Sequence, residues 1–84
     1  MNMEETEKKR SILEIVGENI KYYREEAGIS KNEFGAFFGT RGTRTTMIEN
    51  GMAKLQLITL SKIATYLGVT VIDLVEDWEG IERS

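Results

Sequence analysis

The 84-residue chain contains no cysteine, no histidine and no proline. Without cysteine there is no disulfide and no thiolate metal ligand. Without histidine there is no imidazole ligand, and the nucleophile–base pairs built on His or Cys are excluded. Carboxylates remain, but an acid–base carboxylate pair needs a pocket that so short a chain seldom builds. An enzyme is therefore not expected, and no catalytic residue, metal ligand or cofactor is assigned. Long apolar runs are missing too: none approaches the roughly 18 residues that span a bilayer. The opening "MNMEETEKKR" carries both charge signs and no apolar segment follows it, so it does not read as a secretory signal. The expectation is a soluble cytoplasmic protein with no membrane association.

The net charge is −3, which by itself argues against a polyanion as partner. The distribution argues otherwise. Residues 73–84 carry Asp73, Glu76, Asp77, Glu79 and Glu82 against Arg83, whereas residues 30–55 carry Lys31, Arg41, Arg44 and Lys54 against Glu33 and Glu49. Local potential decides where a polyanion docks. The middle of the chain is locally basic and the tail is acidic.

With no proline, helices must end at glycines and caps. "SILE" (11–14), "SKNE" (30–33) and "TVID" (70–73) are capping-box starts, the last with Asp in place of Glu. Ile12, Ile15, Val16, Ile20, Tyr23 and Ala27 recur at helical spacing, and Gly28 reads as the stop. A second helix presents Phe34, Phe37 and Phe38 inward and ends at Gly39. A third ends at Gly51. A fourth, about Leu57 to Leu67, has Leu57, Leu60, Ile63, Ala64 and Leu67 on one face, with Gly68 after it. A fifth buries Val71, Ile72, Leu74 and Val75. No segment reads convincingly as a strand. The reading is all-α, a compact five-helix bundle. Residues 1–10 form a solvated N-terminal arm and residues 11–84 the domain, with an acidic C-terminal extension.

"GISKNEFGAFFG" followed by "TRGTRTTMIENG" resembles the helix-turn-helix of the phage repressor and Cro-like (XRE-type) family. "LSKIATYLGVTVIDLV" resembles that family's closing helices, so the likeness covers roughly residues 17–75. It implies a lambda-repressor-like DNA-binding domain. It also assigns Gly35 to the crossing of the second and third helices, Gly39 to the turn, and Arg24 with Glu49 to a partly buried salt bridge. A mid-helix glycine costs about 1 kcal/mol relative to alanine, so close packing explains Gly35 better than chance does.

In that family the third helix, here about 41 to Asn50, is the recognition helix, and its first residues reach base edges in the major groove. This chain departs from the pattern. Position 41, usually a Ser or Thr cap, is Arg. Position 42, often Gln, is Gly. Position 45, usually Ile or Val, is Thr. Threonines and glycine make a weak helix. The expectation is a short, late-starting helix capped by Thr43, or by Thr40 if it is full length. The methyl of Thr45 and Ile48 face the core, while Thr43, Arg44, Thr46 and Met47 face solvent or a groove. Arg suits guanine O6/N7, and Thr or Met suits a thymine methyl.

By the same resemblance Lys31 meets backbone or base and Asn50 the sugar-phosphate chain, while the helix N-terminus at Ser30 and Lys31 suits a phosphate. Arg41 and Arg44 beside small residues fit close approach to a phosphate-lined surface, and Lys54 lies in the loop that follows. The loop "MAKLQ" lacks the family's basic cluster and proline, which implies fewer phosphate contacts and weaker non-specific binding. The implied function is a sequence-specific transcriptional regulator, a bacterial or phage-type repressor. It acts at the nucleoid, and its partner is double-stranded DNA with a two-fold operator. The rival is an antitoxin-like accessory subunit whose protein partner is unknown. The expected homodimer would use Val71, Val75, Trp78 and Ile81, although Trp78 and Ile81 can equally fold back on the domain.

Overall fold

The structure, a computed structural model, describes residues 10–78. Within them all regular structure is helical: α1 Ile12–Glu26, α2 Lys31–Phe37, α3 Gly42–Glu49, α4 Leu57–Leu67 and α5 Val71–Val75. No helix of the described residues is long and apolar enough to cross a membrane. The first nine residues and Ile81 lie outside the described residues.

Each expected capping box forms. Ser11 Oγ accepts from Glu14 N at 3.1 Å, and Glu14 Oε1 accepts from Ser11 N at 2.9 Å. Ser30 with Glu33, and Thr70 with Asp73, repeat the exchange. Each box satisfies two of the N–H groups that a helix start leaves without partners. The Ser11 bonds hold the Glu14 carboxyl below its usual pKa, because they favour its charged form.

Val16, Ile20, Phe34, Ile48, Ala53, Leu60, Ile63, Ala64 and Leu74 form one core. Gly17 lets α1 and α3 meet at backbone distance: a Cβ there would lie 2.5 Å from the Ile48 carbonyl oxygen and 2.6 Å from that of Glu49. Asn19, fully enclosed, donates from Nδ2 to the carbonyls of Leu74 and Glu76, each at 2.8 Å. Those bonds tie α1 to the C-terminal end of α5 and satisfy carbonyls that a helix end leaves open.

Several residues expected inside lie outside. Ile12 is 57% exposed, Phe37 52%, Leu57 75% and Ile72 68%, and Ala27 is exposed as well. Ile12 and Leu57 open their helices and Ala27 follows the end of α1, beyond the reach of neighbouring elements. On the five-residue α5, Leu74 takes the core position, and Val71 and Val75 pack beside it. Ile72 then points away. Phe37, at the end of α2, lays its ring against Tyr66 and Phe38, with centroids 4.0 and 4.9 Å apart.

Both ends of the described chain fold back. Arg10, expected in a solvated arm, pairs with Glu18 on α1 and with Asp77 beyond α5. Trp78 is half-buried, and its Nε1 donates to the Asp73 carbonyl at 3.0 Å.

Candidate nucleic-acid interface

The chain leaves α2 through a tight turn. Gly39 has φ +73°, a left-handed conformation that glycine adopts without Cβ strain. Thr40 closes the turn on one acceptor: its N–H and its Oγ1 both donate to the Gly35 carbonyl, at 2.8 and 3.1 Å. Gly35 is needed here for space, since a Cβ would lie 2.6 Å from the Arg41 carbonyl carbon and oxygen. The short side lets the start of α3 rest on α2.

The helix then begins at Gly42, earlier than its composition suggests. Arg41 is the N-cap, with φ −124°, and its side chain makes no capping bond. Neither Thr40 nor Thr43 caps: the Thr40 hydroxyl is spent on Gly35, and Thr43 already lies in the first turn. Tertiary contacts override the weak intrinsic propensity. The main one is Thr45, fully buried, whose Oγ1 donates to the Lys31 carbonyl at 3.0 Å. The residue that replaces the usual aliphatic therefore does two things: its methyl packs inward and its hydroxyl pins α3 to the first residue of α2. Ile48, 7% exposed, adds the second inward contact.

The far end of α3 is locked by charge. Arg24 Nε and Nη2 donate to the two Glu49 carboxylate oxygens at 2.6 and 3.1 Å, and Nη1 donates to the Ile29 carbonyl at 2.8 Å. The Glu49 hydrogen bond pushes the Arg24 pKa up, overcoming the opposing effect of burial. With Thr45, Ile48 and Glu49 facing inward, the rotation of α3 about its axis is set.

That rotation exposes Thr43, Arg44 and Met47, the last 39% exposed. Thr46, expected on the same outer face, is half-buried, because it borders the inward row. Ser30, Lys31, Arg41, Asn50 and Lys54 are all exposed around it. Lys31, Arg41, Arg44 and Lys54 have no acidic partner among the described residues. Lys62 of α4, which the sequence pattern did not single out, joins Arg44 in lining a cleft between α3 and α4. The arrangement is a basic, hydroxyl- and methyl-bearing helix face open to solvent. Of the proposed dimer residues, Val71 and Val75 are half-buried against the core and Trp78 is half-buried.

The sequence pattern of the helix-turn-helix family matches residues 20–74. No curated protein matches the chain. Among solved structures, a hypothetical transcription factor, NHTF from Neisseria, is 21% identical with a TM-score of 0.74, over 83% of this chain and 80% of that one. The clp gene regulator ClgR from C. glutamicum is 18% identical with a TM-score of 0.75, over 86% and 94% of the two chains. Fe(II)-HppE with the alternative substrate (S)-1-HPP is 23% identical with a TM-score of 0.75, over 81% of this chain but only 35% of that one. At these identities the structures share the fold. The family match spans most of the chain, from inside α1 to α5, and takes in the α2–turn–α3 unit: the protein belongs to the helix-turn-helix family.

Proposed function

We propose that the protein is a sequence-specific DNA-binding transcriptional regulator of repressor type, acting in the cytoplasm at the nucleoid. The observation that carries this reading is the outward face of α3. Arg44, Thr43 and Met47 stand exposed on a helix whose opposite side is anchored by Thr45, Ile48 and Glu49. Arg44 supplies a bidentate donor for guanine, and the Thr43 and Met47 side chains suit a thymine methyl. Lys31, Arg41, Asn50 and Lys54 flank that face and contact phosphate, which positions the helix without specifying sequence.

A single module with so few cations binds weakly at physiological salt. The protein therefore acts as a homodimer on a two-fold operator with half-sites roughly 34 Å apart. The dimer forms around α5, through the surface that Val71, Val75 and Trp78 leave uncovered, with the freely exposed Ile72 beside them. Ile81 extends the same segment in sequence.

The test is duplex binding measured across a salt series, first with random DNA and then with sequences selected from a random pool. Arg44→Ala weakens selected sites by about 1–3 kcal/mol and relaxes one position. Lys31→Ala weakens every duplex alike and reduces the salt slope by about 1. Two variants that bind all duplexes as the parent does would refute the assignment. A second reading, an accessory subunit that docks on protein, is favoured by the exposed Phe37, Leu57 and Ile58. It predicts that the parent binds duplex weakly or not at all.

A further inference from the structure

Gly42 opens the recognition helix without a side chain, at the place where such a helix first reaches base edges. The space is not vacant. A Cβ on Gly42 would lie 2.5 Å from Asn32 Oδ1 and 3.5 Å from Asn32 Cγ, with Lys31 Cβ also at 3.5 Å. An oxygen at 2.5 Å from a carbon overlaps it, so a side chain at 42 and the Asn32 carboxamide in this position exclude each other. Asn32 is the second residue of α2, exposed, and its carboxamide makes no hydrogen bond within the described chain. Both its donor and its acceptor are therefore available to a ligand.

We infer that Asn32 is a specificity-determining residue: its carboxamide reaches across the start of α3, where Gly42 leaves room, and reads an adenine in the major groove. A carboxamide pairs in a bidentate manner with adenine N6 and N7. Lys31 and Arg44 cannot substitute for it. A guanidinium or ammonium only donates, and adenine requires one donor and one acceptor. Gly42 is thus permissive: its missing side chain is what admits Asn32. This rests on the DNA-binding reading above.

The test compares the parent, Asn32→Ala, Gly42→Ala and the double variant by selection from a randomised duplex pool, followed by affinity measurement on the selected sites. Asn32→Ala is expected to lose an adenine preference at one position of each half-site and to bind the parent's site roughly 5- to 140-fold more weakly, the range for one bidentate contact. Gly42→Ala is expected to lose the same preference by displacing the carboxamide, while its melting temperature does not fall. The double variant should bind like Asn32→Ala alone. An Asn32→Ala protein that retains every base preference overturns the inference, and so does one that weakens all sequences equally, which would make Asn32 a phosphate contact. A Gly42→Ala protein that keeps the adenine preference overturns it as well. A parent that binds no duplex overturns the DNA-binding reading itself, and this inference with it.

Discussion

Replacing Glu49 by Gln should destabilise the fold far more than a surface charge would. The Arg24 and Glu49 side chains are 7% and 3% exposed, joined by bonds of 2.6 and 3.1 Å. At about 3 Å and an effective dielectric near 20, their attraction is roughly 5–6 kcal/mol. Desolvation of each ion costs several kcal/mol and offsets much of that. The intact pair therefore contributes little net stability, but half of it is expensive. Glu49→Gln keeps one acceptor oxygen but removes the counter-charge, leaving the buried guanidinium with the Ile29 carbonyl and the exposed Glu25 carboxylate 4.0 Å away. Losing one partner of a buried pair costs about 3–5 kcal/mol. Total stability for a chain of 84 residues is on the order of 4–13 kcal/mol at about 0.05–0.15 per residue. At about 4–8 °C per kcal/mol in a domain of this size, Tm falls by roughly 12–40 °C. The double variant Arg24→Met, Glu49→Leu removes both charges and keeps apolar volume, so it should recover most of the loss. Thermal and urea melts of the parent, Glu49→Gln, Arg24→Met, Glu49→Leu and the double variant test this. Singles melting within about 3 °C of the parent, or a double variant that falls by the sum of the Arg24→Met and Glu49→Leu losses, would refute the coupling.

Gly17→Ala gains helix propensity, yet its Cβ would sit 2.5–2.8 Å from backbone atoms of Ile48 and Glu49; a net loss of about 1–3 kcal/mol is expected from overpacking, and a more stable variant in a urea melt would show that α1 and α3 can separate freely. Glu14 has a pKa below its usual 4.5 because of the Ser11 bonds. A carboxylate depressed in the fold stabilises it above the unfolded value, and that contribution is lost as pH falls through the folded value. The stability gap between the parent and Glu14→Ala should therefore be full near neutral pH and narrow below about 4.5; a gap constant down to acid unfolding would rule out the charged cap. Trp78→Ala should shift the protein toward monomer in sedimentation at micromolar concentration and weaken duplex binding, with only a modest loss in the melt. A variant that stays dimeric places the interface elsewhere, and one that unfolds makes Trp78 part of the core.

Most helix boundaries were legible because their signals are local. Ser11, Ser30 and Thr70 each bond a residue three positions on, and Gly28, Gly39, Gly51 and Gly68 each adopt positive φ after a helix or turn. These interactions need only near neighbours, so a short window contains them. Helical period also identified most of the core, including Val16, Ile20, Phe34, Ile63 and Leu74. Period gives a direction around the axis, however, and says nothing about how far a neighbour extends along it. That is why Ile12, Phe37, Leu57 and Ile72 read as core and stand in solvent.

The sequence by itself determined the helical class, the number of helices among the described residues and the residue types available to meet a ligand. It carried the Arg24–Glu49 pairing only through family resemblance, because nothing local links positions 25 apart. Tertiary structure alone decided where α3 begins and how it is turned. Local propensity favoured a late start, but the Thr45 hydroxyl on the Lys31 carbonyl, 14 positions away, and the close approach to α1 at Gly17 hold Gly42 in the helix. Tertiary structure likewise decided that Asn32 lies over Gly42, since the two meet only when α2 and α3 pack across the turn. Contacts between elements depend on the summed geometry of every turn between them, and no single stretch of sequence contains that sum.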